Sequence, residues 1–150
     1  MSDGLVFMMG EFEARFPTDR QYAKNHMWAQ RRSDVWRFGF TAYAVRLLQD
    51  VYFLDWAIDA PAALDQGQEI GMIESKKAES SLYAPIHGQL VRFNQTLMSD
   101  PSTINVDKYG EGWLLEMIGT GEELKSPPDY IEQLGEVWEV TQRTIKGQLN

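Results

Sequence analysis

The sequence contains no cysteine. Disulfide frameworks, thiolate metal sites and cysteine nucleophiles are therefore excluded. The same absence leaves the compartment open, because a cytosolic protein needs no cysteine. Histidine is nearly as scarce, with His26 and His87 alone among 150 residues. Two histidines leave little for a metal site, and each reads as a structural residue. No apolar run approaches the length of a membrane span. The apolar stretch from Leu5 to Met9 is short and has no positive charge before it, unlike a secretory signal. The chain therefore reads as soluble and cytoplasmic, with no membrane partner. Basic charge is also in deficit, with 14 Lys and Arg against 22 Asp and Glu and a net charge of −8. Such a surface offers phosphate no clustered positive field, so nucleic acid is not expected as a partner. A Gly-rich phosphate loop, a nucleophile elbow and a metal-spaced histidine helix are all missing. No catalytic constellation supports an enzyme.

The chain does have enough apolar residues, 43%, and aromatics, 12%, to pack one domain of this length. Residues 1–21 read as an N-terminal extension of undetermined structure, with a turn at Pro17 to Asp19. Strand patterns follow from Trp28. Between Val35 and Phe40 the residues alternate, with Trp36, Phe38 and Phe40 on one face. Thr41 is placed as the N-cap of a short helix over 42–48, followed by a strand over 51–56. Residues 59–68 read as a loop. Strands over 70–74 and 80–85 flank a polar turn, and further strands are expected over 89–94 and 113–118. Loops are expected over 99–102 and 108–112. After Ser126 the period becomes helical, with Tyr130, Ile131, Leu134, Val137, Trp138, Thr141 and Ile145 on one face. Ser126 suits the cap and Pro127 or Pro128 the first turn of that helix, and Gly135 weakens it. The fold class is mainly β: a flattened β-barrel or barrel-sandwich hybrid with a short internal helix and a C-terminal amphipathic helix. The domain spans 22–120, with 121–150 as a helical segment packed on the barrel.

One turn stands out chemically. Glu74-Ser75-Lys76-Lys77-Ala78-Glu79 puts two lysines at the tip of a hairpin bounded by Gly71 and Gly88. An exposed lysine is commonly just solvated. A lysine held out on a rigid hairpin also suits a covalent swinging arm, which another enzyme attaches and which then visits several active sites.

The residues around that turn resemble a known family. Gly71-Met72-Ile73-Glu74-Ser75-Lys76-Lys77-Ala78, then Tyr83-Ala84-Pro85-Ile86-His87-Gly88, is similar to the lipoylation hairpin of glycine cleavage system H proteins. Two further blocks agree: Asn105 through Leu114, like Asn-x-x-Pro-Tyr-Gly-Glu-Gly-Trp-Leu, and Tyr22 through Trp28, like Tyr-x-x-x-His-Glu-Trp. The resemblance implies a lipoyl-carrier barrel, non-catalytic, with lipoate covalently attached as N6-lipoyl-lysine. In the family the tether lies eleven positions before the closing glycine, and Lys77 stands eleven before Gly88. Lys77 is thus the implied attachment site, and Lys76 occupies the place of a valine. Biotin carriers flank their lysine with methionines, which this turn lacks. Glu74 is implied as a recognition residue for the lipoate-attaching enzymes.

The departures from the family bear on the cargo. The family shelters a cationic aminomethyl group with a glutamate, a histidine and an acid. Those positions here are Met27, Tyr43 and Ser81, which are expected to line the arm's resting cleft. A cation loses partners there, whereas a neutral or anionic sulfur adduct is better tolerated. The pattern thus more closely resembles H-like lipoate-binding proteins of bacterial sulfur oxidation. Those serve a heterodisulfide-reductase-like complex, with dihydrolipoamide dehydrogenase as the flavin partner. The alternative is the glycine cleavage carrier itself, moving an aminomethyl group between glycine decarboxylase, aminomethyltransferase and dihydrolipoamide dehydrogenase.

Overall fold

Side chains that alternate between core and solvent build most of this molecule. The computed structural model describes residues 4–149, with side chains through 141. In chain order the elements are β1 (Gly4–Met9), β2 (Phe12–Pro17), β3 (Gln21–Tyr22), β4 (Met27–Arg32), β5 (Val35–Phe40) and α1 (Ala42–Leu48). Then come β6 (Val51–Trp56), β7 (Ala62–Leu64), β8 (Glu69–Ser75), β9 (Glu79–Tyr83) and β10 (Gly88–Phe93). The chain ends with α2 (Thr96–Ser99), α3 (Thr103–Val106), β11 (Leu115–Ile118) and α4 (Pro127–Leu149).

A six-stranded sheet in the order β3-β4-β5-β11-β10-β7 faces a three-stranded sheet in the order β6-β8-β9. Phe38, Leu90 and Leu115 of the first sheet meet Leu54, Ile73 and Leu82 of the second in one buried cluster. No named strand pairs across the two sheets, so the barrel is a flattened, sandwich-like one. Gly88 begins β10 with φ +155, where a Cβ would collide with the Ile118 carbonyl oxygen. Glycine is therefore required where the chain turns back into the large sheet.

The starts of α1 and α4 follow capping chemistry. Thr41 is extended, and its Oγ1 accepts from the Ala44 N–H at 3.4 Å. Ser126 Oγ accepts from the Asp129 N–H at 3.3 Å and starts α4. Along α4, Tyr130 and Leu134 are buried, while Ile131, Val137, Trp138 and Thr141 are half-buried. Ile145, expected on the same face, lies outside the described side chains. No helix among the described residues is long and apolar enough to cross a membrane.

Three regions differ from expectation. The N-terminal segment is an antiparallel hairpin, with Met9 opposite Phe12 across a two-residue turn. Gly10 takes φ +66 there, the usual place for glycine in such a turn. Met9, Ala14 and Phe16 are buried with Trp28, Tyr43, Tyr130 and Leu134 in a second cluster. β1 packs on α4 and β2 on α1. The expected loop 59–68 contains β7, which pairs with β10. A strand this short is fixed by its distant partner rather than by local pattern. Finally, α2 and α3 are single turns beside the loop expected at 99–102, too short to show a helical period.

Candidate functional site

β8 and β9 pair with Met72 opposite Ser81, Ile73 opposite Ser80 and Glu74 opposite Glu79. That register leaves Ser75 through Ala78 as a turn, with Lys76 and Lys77 at its two central positions. Ser75, 5% exposed, locks the turn. Its N–H donates to the Ala78 carbonyl at 2.8 Å, and its Oγ accepts from the Ala78 N–H at 3.1 Å.

At most hairpin tips the central N–H groups face water. Here the Lys76 N–H donates to the Asp50 carbonyl at 2.8 Å and the Lys77 N–H to the Leu48 carbonyl at 3.4 Å. The tip is therefore pinned by its backbone to the joint between α1 and β6, while both lysine side chains stay exposed. The joint is itself unusual. Gln49 sits at φ 60, ψ −140, a region that favours glycine. Asn105 holds it: its Nδ2 donates to the Gln49 carbonyl at 2.6 Å, and its Oδ1 accepts from the Val51 N–H at 2.9 Å. Sequence reasoning placed Asn105 within a motif but gave it no task. The motif itself was the available signal.

A cleft of about 420 Å³ runs beside β9 from Ala78 to Tyr83, within the size range of small-molecule sites. Met27, Phe40, Leu48, Ile73 and Leu82 make it largely apolar, and no carboxylate lines it. Such a lining fits the apolar chain of a lipoyl group. Met27 is buried in the cleft wall, and Ser81 is half-buried at its edge. Glu74 lies on the opposite face of the sheet, across from Phe53 and Glu79, so it is not part of the cleft.

Tyr43 is also not in the cleft, contrary to expectation. It is 1% exposed, its ring lies 4.8 Å from that of His26, and its hydroxyl bonds Thr141 Oγ1 at 3.1 Å. The aromatic layer contributed by the N-terminal hairpin and α4 draws Tyr43 behind the cleft wall. His26 is the residue that reaches the cleft. Its Nδ1 meets the Tyr130 hydroxyl at 2.9 Å, and burial lowers its pKa to about 4. It is therefore neutral at neutral pH and supplies no charge to the cleft. The other histidine, His87, is exposed, and its Nδ1 accepts from the Gln66 N–H at 3.1 Å. Among the described residues no cluster of three or more His, Asp or Glu can hold a metal.

A second cavity, of about 610 Å³, shares Asn25 and Tyr83 with the cleft. Lys24 and Lys125 line it, again without a carboxylate.

Comparison with known proteins bears on this arrangement. The family model described as glycine cleavage H-protein matches residues 20–138. The glycine cleavage system H protein of Mycolicibacterium gilvum is 43% identical over 105 residues, covering 69% of this chain and 79% of its own. That of Rubrobacter xylanophilus is 36% identical over 124 residues, covering 82% of this chain and 98% of its own. The crystal structure of a glycine cleavage system H protein from Mycobacterium marinum superposes with a TM-score of 0.71 at 34% identity. It covers 80% of this chain and 99% of the other. The N-terminal hairpin lies outside the residues matched by the family model.

Proposed function

This chain belongs to the glycine cleavage H-protein family, and from that premise we propose that it carries its lipoyl arm on Lys77. Members of the family are non-catalytic carriers of a covalently attached lipoate. The observation that carries the assignment is the tip of the β8–β9 hairpin: an exposed lysine on a backbone tied to the α1–β6 joint. When bound, lipoate supplies a dithiolane that opens to a dithiol and holds a sulfur-bound group. The chain's own part is mechanical. Ser75 closes the turn, the Asp50 and Leu48 carbonyls fix its direction, and the cleft bordered by Met27 and Ser81 shelters the arm between visits. Tethering raises the effective concentration of the cargo at each partner enzyme.

The names of the relatives support glycine cleavage as the process served. The partners are then lipoate-attaching enzymes, glycine decarboxylase, aminomethyltransferase and dihydrolipoamide dehydrogenase, and the cargo is an aminomethyl group. One observation favours a second reading. Neither the cleft nor the cavity beside it holds a carboxylate, and the cavity carries Lys24 and Lys125. A desolvated cation is costly without an acidic partner. A neutral or anionic sulfur-bound cargo, served by a heterodisulfide-reductase-like complex, avoids that cost.

Intact and peptide mass spectrometry of the protein from its native host tests the assignment. One lipoyl increment on Lys77, lost in Lys77→Arg with the fold retained, is the expected result. An unmodified Lys77 overturns the carrier role. Incubating the lipoylated protein with glycine and glycine decarboxylase separates the cargoes. An aminomethyl adduct supports glycine cleavage, and a lipoylated arm that stays unloaded favours the sulfur reading.

A further inference from the structure

We infer that the exposed aromatic pair Tyr52 and Phe53, with the acidic groups around it, is the surface on which the lipoate-attaching enzyme docks to reach Lys77. The inference rests on the assignment of Lys77 as the lipoyl site.

Successive residues of a strand point to opposite faces, so one of two neighbours is normally turned inward. Tyr52 and Phe53 break that rule, at 63% and 43% exposed, while Val51 and Leu54 on either side are buried. The cause is a bulge. Val51 pairs with Ser75 and Phe53 with Glu74, so β6 takes two steps where β8 takes one. Bulges of this kind re-aim side chains and are over-represented beside functional sites. β6 is also an edge strand of its sheet.

The bulge belongs to the same rigid piece as the lysine. Phe53 lies opposite Glu74, and Val51 lies opposite Ser75, the residue that locks the turn. Asp50, next to Val51, accepts the Lys76 N–H. Asp50, Asp55 and Glu79 are exposed and Glu74 is half-buried. Over 50–56 and 72–81 the only cations are Lys76 and Lys77. The complementary partner surface therefore has an apolar recess for two aromatic rings, rimmed by basic side chains.

The chemistry of attachment selects which partner this is. Lys77 Nζ must form an amide bond with the acyl carbon of an activated lipoyl adenylate. The bond from that carbon to the adenylate oxygen breaks, AMP leaves, and the amine's proton passes to a base on the enzyme. No electrons are transferred. An enzyme that brings an acyl carbon to Nζ itself must lie against the hairpin and the neighbouring strand. Enzymes that act at the far end of a finished arm are free of that constraint.

The test uses the unmodified full chain with a purified lipoate–protein ligase, lipoate, ATP and Mg²⁺, following the lipoyl increment on Lys77 by mass. Tyr52→Ser/Phe53→Ser is expected to raise KM about tenfold with kcat within about twofold, as for loss of an aromatic anchor. Its melting temperature should match wild type, because both side chains are exposed. Should the double variant melt early, Tyr52→Ser alone is read, with a KM increase of about threefold expected. Wild-type kcat/KM should fall as salt rises, and Glu74→Gln/Glu79→Gln should flatten that dependence. Lipoylation of the aromatic variants with unchanged KM overturns the docking surface alone. Absence of lipoylation on wild-type Lys77 overturns both this inference and the carrier assignment.

Discussion

The β1–β2 and β8–β9 hairpins are both antiparallel pairs closed by tight turns, yet among the described residues only the second has its turn tied by backbone hydrogen bonds to another part of the fold. In β1–β2 the side chains do the holding. Met9, Ala14 and Phe16 are buried, Phe12 lies under the Arg46 guanidinium at 4.3 Å, and a Cβ at Gly10 in the turn would touch nothing within 4 Å. In β8–β9 Ile73 and Leu82 are also buried, but the turn itself is held by backbone, through the Lys76 and Lys77 N–H groups, and the lysine side chains are left to solvent. Burial suits a segment whose task is to stay put. A clamp on backbone groups suits a segment that must present a side chain in a fixed direction and leave its end reactive. The first hairpin lies outside the residues matched by the family model, and the second lies within them.

The comparison breaks most visibly at Phe16. This ring is fully buried and meets Tyr130 edge-on at a centroid distance of 5.4 Å. Phe16→Ala should cost about 3–5 kcal/mol in denaturant unfolding. Below the melting transition, lipoylation of Lys77 should be unchanged, because no hydrogen bond of the tip involves the hairpin. A parallel loss of lipoylation rate would show that the two hairpins are coupled.

His26 lies between the two regions, with Tyr43 and Tyr130 on one side and the cleft on the other. Burial lowers its pKa to about 4, against about 6.5 in an unfolded chain. Between those values the unfolded chain binds the extra proton. Its contribution to stability is therefore complete above pH about 6.5 and is lost as pH falls toward about 4, by up to about 3 kcal/mol. Asparagine tolerates the positive φ of 70 at this position. His26→Asn should consequently flatten the stability profile from pH 4 to 6.5 relative to wild type, as read by urea unfolding at several pH values.

Asn105 sharpens the other side of the comparison. It contributes two hydrogen bonds to the joint that receives the hairpin tip. Asn105→Ala should cost about 1–3 kcal/mol, the range for leaving buried partners unsatisfied. It should also slow lipoylation of Lys77 several-fold, a readout that Phe16→Ala does not move. Equal lipoylation rates in Asn105→Ala and wild type would mean that the tip needs no clamp.

How much of this was legible in the sequence depends on how local each signal is. The helix after Thr41 could be read because its cap, its residues and its end lie within a few positions. The lysine at the turn could be read because the hairpin register is set by residues on either side of it. The N-terminal hairpin carried a signal too: Leu5, Phe7 and Met9 alternate with exposed Val6 and Met8, across a Gly10-Glu11 turn. Its first strand is apolar on both faces, which obscures that period. β7 depends on a partner more than twenty residues away. Tyr43 was expected at the cleft because it stands where the resembled family has a histidine that shelters the cargo. Which side of α1 faces the cleft is decided by the N-terminal hairpin and α4, and neither is adjacent in sequence. The clamp at Gln49 and Asn105 is likewise a tertiary arrangement, visible beforehand only as a motif without a task.

The smallest effect is expected in α4, which covers the side-chain-held region. Tyr130 and Leu134 turn inward and leave Gly135 exposed, with open space where a Cβ would stand. A glycine inside a helix costs about 1 kcal/mol relative to alanine, through the extra freedom it gives the unfolded chain. Nothing at this position repays that cost by close packing. Gly135→Ala should therefore raise stability by about 1 kcal/mol, or a melting temperature roughly 2–4 °C higher for a chain of this size. It should leave lipoylation of Lys77 at the wild-type rate, since Tyr130, Gln133 and Thr141 of α4 bond to His26, Thr41, Lys24 and Tyr43, away from the tip and its joint. A stabilised helix with a slower lipoylation rate would instead mean that mobility of the α4 layer reaches the cleft through Tyr43 and His26.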